Sequence, residues 1–430
     1  MACWLDALST ELHTLILLLL DSTQSLFALI QASPRLYAVF LASKEKILSA
    51  SVRRQIHPEV LPIAVAVTNI SHLPRGMDRT AVIDTLNDLH AKNKDDCMSR
   101  ILPFSTSVHL CRLCRSIDFT ILDFTRYVST RTEEYGFSLA KDPNSDFLSS
   151  RLSLTETGRL QRAFFNIELY SQLFYTGPHG KGKFTALEQS SLFLARMPSW
   201  QIEELACIYD YLMARLSRIF DEVEDKFVTS VTGDSSKPSR VVTAEPETLT
   251  RVQQVDCTSE DGTDYDSDAS SELLGPDRFD HEDVFFSSFT KSHEHDWYME
   301  FMVSLGLTSL RDLFVMNDEQ RTQVVRANGH SERDFLGKAL LEKPRGSYMS
   351  AENTDGMEEI KVPYGQSLTF HGDKLNEPNL AWLWSFGFKQ EYLFREAERS
   401  FLCSWGYVFW DNIRIQSSKI LDVRYVQLHF

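Results

Sequence analysis

The sequence predicts a mainly α protein, and three observations carry that reading. Apolar residues recur at three- and four-residue intervals through most long segments, the spacing of one helix face. Helix-capping residues stand where such runs begin, Ser9 and Ser199 among them. One long acidic stretch breaks the pattern and divides the chain. The expected organisation is an N-terminal three-helix unit (1–50) on a helical domain (51–228), a disordered acidic linker (229–280), and a second, aromatic-rich helical lobe (281–430).

Residues 8–48 accommodate three short amphipathic helices. Leu8, Leu12, Leu15, Ile16 and Leu19 form one face of the first. Glu11 lies in its first turn, where the helix dipole favours negative charge. Leu26, Leu29 and Ile30 share a face of the second. Pro34 suits the first turn of the third, along which Tyr37, Phe40, Leu41, Ile47 and Leu48 repeat the spacing.

This stretch resembles an F-box, in the variant common in fungal F-box-like proteins. Leu8, Glu11, Leu12, Ile16 and Leu17 match the family opening Leu-Pro-x-Glu-Leu-x-x-x-Ile-Leu, with Ser9 in the place of the proline. Leu26, Leu29, Ala32, Ser33, Pro34, Tyr37 and Phe40 match the remainder. The basic-Trp ending of better-known F-boxes is absent, and Arg35 and Tyr37 stand near its place. AFFNIELYSQLF, NLAWLWSFGF and SWGYVFWDNIRI resemble further blocks of the same fungal family.

The resemblance implies docking on the Skp-type subunit of a cullin–RING ubiquitin ligase. Leu8, Leu12, Leu15, Ile16, Leu26, Leu29 and Pro34 would supply the docking face, and the rest of the chain would select a protein substrate. Such an adaptor needs no cofactor and performs no chemistry itself. The other expectation is a non-catalytic scaffold that keeps the F-box shape without the ligase link, its leucine faces buried in its own core.

Further along, 49–74 reads as helix interrupted by Pro58 and Pro62, and 78–92 as an amphipathic helix with Ala81, Val82, Leu86 and Leu89 on one face. Between Ile101 and Tyr135, Leu110, Leu113, Ile117, Ile121, Phe124 and Val128 lie at roughly helical intervals. Leu160, Phe164, Ile167, Tyr170 and Phe174 make one stripe over 154–175. The strongest helix is 199–228, where Ile202, Leu205, Tyr209, Leu212, Leu216, Ile219 and Val223 alternate by three and four. Ile208, Met213 and Phe220 broaden that stripe, which favours burial against a bundle over a dimerising coil.

Residues 229–280 offer almost nothing to bury, so they cannot offset the entropy of ordering. The lobe beyond them carries Trp297, Phe301, Leu305, Leu310 and Phe314, then Trp382, Trp384, Trp405 and Trp410. Aromatics at such spacing are expected in the core, with one or two rim residues reaching a partner.

A formal charge of −16 disfavours nucleic acid and anionic membrane surfaces as partners. Seven cysteines in 430 residues read as a reduced intracellular chain. The Leu15–Leu20 run is preceded by acids rather than by Lys or Arg, and is too short to span a bilayer. A cytoplasmic or nuclear protein is expected.

Patterns that could carry chemistry fail on context. GPHGKGK at 177–183 has the P-loop spacing, but Phe184 replaces the Mg²⁺-binding hydroxyl and the preceding segment reads as helix. Cys111 and Cys114, near Cys97 and His109, lack the second pair a zinc site requires. His293 to Asp296 read as a first helical turn, and Asp264, Asp266 and Asp268 lack the glycine and glutamate of a calcium loop. A non-enzyme without metal or cofactor is the expectation.

Overall fold

Residues 154–173 form a helix that its neighbours cover on every side from Gly158 onward, and the rest of the fold is laid around it. The computed structural model describes residues 7–73, 78–91, 101–134, 151–175, 183–233, 293–327, 334–342, 370–387 and 401–418. The linker at 234–280, the glycine-rich 177–182, Cys97 and residues 343–360 lie outside the described residues.

The first four helices are α1 (Thr10–Leu19), α2 (Thr23–Ala32), α3 (Pro34–Ala42) and α4 (Lys44–Gln55). The third helix was expected to run on to Leu48. Instead it stops at Ala42, because Ser43 leaves helical geometry (φ −134°, ψ 26°) and its N–H closes the turn on Phe40. Ile47 and Leu48 therefore belong to α4, and the boundary drawn at residue 50 falls inside that helix. Pro58 begins a 3₁₀ turn, Pro58–Val60. Pro62 does not interrupt a helix but sits in the first turn of α5 (Leu61–Ser71), where a missing N–H costs nothing.

α6 (Arg79–Ala91) and α7 (Phe104–Glu134) follow, then the central α8 (Leu154–Leu173). α9 (Ala186–Leu192) and α10 (Ser199–Gly233) complete the first part of the chain. α10 thus runs five residues beyond its expected end at 228, into the first positions assigned to the linker. Val82 and Leu86 of α6 are buried but Ala81 is exposed. The stripe from Leu110 to Val128 on α7 is buried, as is that from Leu205 to Ile219 on α10. α10 spends this face on α8 and on later helices of its own chain, as a bundle helix does.

The later helices are α11 (His293–Ser304), α12 (Leu307–Val315), α13 (Asp318–Ala327), α14 (Leu336–Leu341), α15 (Leu380–Gly387) and α16 (Asn412–Ser418). No strand occurs among the described residues. α11 packs on α8 and α10, α12 on α7 and α8, and α14 on α9. Buried apolar residues from Leu17 to Ile415 form one cluster spanning both sides of the linker. Trp382, Trp405 and Trp410 are inside it, and Trp384 packs partly buried against it.

α8 was read as a one-sided stripe, but residues 158–173 are buried all round, as is Glu156. Its charges are matched within the core. Glu156 accepts from Arg414 Nε at 2.7 Å and Nη2 at 2.8 Å. Arg159 donates to Asp411 Oδ1 at 2.9 Å and to the Phe409 carbonyl at 3.1 Å. Arg162 bonds Glu204 on α10 and the Leu375 carbonyl, the latter at 2.7 Å. Buried charge is tolerated only when paired and hydrogen-bonded, and each of these is. Burial by itself would raise the Glu156 carboxyl, yet the Arg414 contact with the Ser153 and Asp411 N–H groups outweighs it and lowers the pKa.

A candidate partner-docking surface

The N-terminal unit is fixed to the core through α4. Gln161 of α8 accepts from the His57 N–H at 2.8 Å and donates to the Gln55 carbonyl at 2.6 Å, tying the end of α4 to the central helix. Gln55 in turn bonds Thr23 at the start of α2 (3.2 Å). Arg54 donates to the Leu20 carbonyl at the end of α1, and Arg35 of α3 donates to the Leu8 carbonyl at 3.0 Å. Both ends of α1 are therefore held by arginines of other helices. The Ser22 hydroxyl caps α2 through the Ser25 N–H, and the Ser33 hydroxyl caps α3 through Leu36, with Pro34 in the first turn.

With the frame fixed, each helix splits its apolar residues between core and solvent. On α1, His13 and Leu17 are buried four residues apart. The opposite side carries Leu12, Leu15 and Leu19, which are 47%, 52% and 72% exposed. On α3, Leu36, Val39 and Phe40 are buried while Tyr37 and Leu41 are each 49% exposed. On α2, Leu26 and Ile30 are buried and Phe27 is 37% exposed. α1 and α3 pack against each other, so one small unit bears several large apolar side chains in water.

The seven residues of the expected docking face do not behave alike. Leu12, Leu15 and Pro34 are exposed, Leu8, Ile16 and Leu29 are partly buried, and Leu26 is fully enclosed in the core. Leu19, Tyr37 and Leu41 belong to the exposed set by geometry, although they were not in the expected face. Their signal was the same helical spacing; a leucine that faces water and one that faces the core are written alike. Near this surface, Glu11 at the start of α1 has its carboxyl pKa lowered by the Ser9 hydroxyl, and it adds a negative charge to the apolar edge.

A cleft of about 280 Å³ between α5, α7, α8 and α12 is lined by His109, Arg112, Glu168, Gln172 and Thr308 among others. Its polar groups also serve the fold. Glu168 accepts from the Leu307 N–H at 2.7 Å and from Gln172 at 2.9 Å, which caps α12. Burial and the neighbouring His72 lower the His109 pKa and favour neutral imidazole. Cys111 and Cys114 are buried core residues, and burial raises the Cys111 thiol to about 11. Among the described residues, no three His, Cys, Asp or Glu side chains converge as a metal site would require. No helix among them is long and apolar enough to cross a membrane.

No family model, no curated protein and no solved structure matches this chain.

Proposed function

We propose that the chain is an F-box-like adaptor that docks on the Skp-type subunit of a cullin–RING ubiquitin ligase and holds a protein substrate for it. The observation that carries the reading is the exposure of Leu12, Leu15 and Leu19 on a helix whose other face is buried. Exposed large apolar groups gathered on one unit mark an interaction surface. In this reading the chain performs no chemistry, because ubiquitin transfer belongs to its partners. It acts in the cytoplasm or nucleus, and neither nucleic acid nor membrane takes part.

The second reading is a scaffold without the ligase link. It draws on Ser9 in the place of the family's proline and on Leu26, one of the seven docking residues, being 0% exposed. Co-purification with a fungal Skp-type adaptor separates the two. Under the adaptor reading the intact chain binds, and the Leu12→Asp, Leu15→Asp variant does not while keeping its helical circular dichroism. Failure of the intact chain to bind leaves the scaffold.

A further inference from the structure

Two thiols from distant parts of the chain meet in the core. Cys207 on α10 and Cys403 in the segment 401–418 place their Sγ atoms 3.1 Å apart. Both side chains are buried. A disulfide sulfur pair sits at about 2.05 Å, so small χ1 rotations of about 1 Å in total bring these two into bonding range. The other described cysteines, Cys111 and Cys114, lie three residues apart on a single helix.

We propose that Cys207 and Cys403 are a redox modification site, at which a hydroperoxide makes an intrachain disulfide that pins segment 401–418 to α10. One cysteine attacks the peroxide as thiolate; the O–O bond breaks, oxygen is transferred to sulfur, and the leaving oxygen departs as water or alcohol. The resulting sulfenic acid is attacked by the second sulfur. The S–S bond forms, the S–O bond breaks, and hydroxide leaves with the second thiol's proton as water. Two thiols are oxidised by two electrons in all, and the peroxide takes both.

The surroundings set the conditions for that reaction. Burial first, then Cys403 and the carboxylates of Glu203 and Asp210, raise the Cys207 pKa well above its ordinary value. A protonated, enclosed thiol is a poor nucleophile, so the closed structure protects the pair. Oxidation therefore follows local opening of 401–418, of the kind folded chains undergo below global unfolding. Once made, the disulfide is shielded by the same burial, and reductants reach it only after unfolding.

The test is a hydrogen peroxide titration of the full chain, purified reduced, then denatured, alkylated and digested without reductant. The expected product is a Cys207–Cys403 linked peptide, with both cysteines lost together from the alkylated pool. The melting midpoint of the cross-linked chain rises by roughly 4 °C over the reduced chain. In Cys403→Ser the linked peptide is absent and Cys207 stays alkylatable. The wild-type peptide map needs no variant, so a misfolded variant does not weaken it. Cys207 and Cys403 both remaining alkylatable, at peroxide levels that already oxidise methionines, would overturn the inference. So would pairing of either with another cysteine.

Discussion

Arg414 Nε lies 2.7 Å from Glu156 Oε1, although 258 residues separate the two along the chain. The pair is fully enclosed, and Glu156 also receives the Asp411 N–H at 3.1 Å and caps its own helix through Ser153. A carboxylate with this many donors fixes the start of α8 and the end of the described chain in one act.

Glu156→Gln removes the charge but keeps the shape, so the buried Arg414 loses the carboxylate charge it meets at 2.7 Å. The expected loss of stability is about 3 kcal/mol. The folded Glu156 pKa is lower than its ordinary 4.5, so its contribution is complete above pH 4.5 and disappears as pH falls through the folded value. Thermal melts of wild type and variant at a series of pH values should show a gap that is full at pH 7 and narrows below pH 4.5. A gap independent of pH would contradict the ion pair.

Gly306 is the turn between α11 and α12, with φ of 86°. A Cβ there would sit 2.9 Å from Glu168 Oε2, the atom that receives the Leu307 N–H. Gly306→Ala is expected to cost about 1–3 kcal/mol through backbone strain and a disturbed cap. Gly372, at φ 104° with open space around it, loses only the backbone part and serves as the comparison. Urea denaturation of both variants measures the difference.

On α1, position decides what a leucine does. Leu17→Ala should cost about 2–5 kcal/mol, because Leu17 is wholly buried. Leu12→Ala and Leu15→Ala should stay within about 0.5 kcal/mol of wild type, since both side chains are half in water. Under the proposed adaptor function, their effect is expected in adaptor binding instead. Equal destabilisation at all three positions would argue that the exposed face is buried in solution.

Asn379 gives its amide to two carbonyls, Tyr407 at 2.7 Å and Trp410 at 3.0 Å, and caps α15 through the Trp382 N–H at 2.9 Å. Asn379→Ala strands buried acceptors and a donor, at an expected cost of about 2–4 kcal/mol. Limited proteolysis should then cut first within 401–418, where Phe124 stacks on Trp410 at 6.3 Å in the wild type.

The long helices were readable because their stripes are regular: Leu110 to Val128 on α7 and Leu205 to Ile219 on α10 are buried as their spacing predicts. The end of α3 was not, because Ser43 serves a helix on either side and the apolar spacing runs straight across it. The enclosure of α8 was hidden for another reason. Arg159 and Arg162 look like solvent residues until Asp411 and Glu204 reach them, 252 and 42 positions further on. Ser153 followed by Glu156 is a capping-box pattern, and it was the available signal for where α8 begins. At the candidate docking surface, the spacing on α1 includes the exposed Leu12, Leu15 and Leu19, but nothing in it marked the burial of Leu26.

The central position of α8 also dictates an order of events at the ribosome. Arg159 is translated 252 residues before Asp411. At 5–20 residues per second that is a wait of roughly 10–50 s. For that time Arg159 lacks the carboxylate it meets at 2.9 Å, although Arg162 of the same helix already has Glu204, 42 residues on. The N-terminal end of α8 therefore reaches its final pairing only after Asp411 has been made.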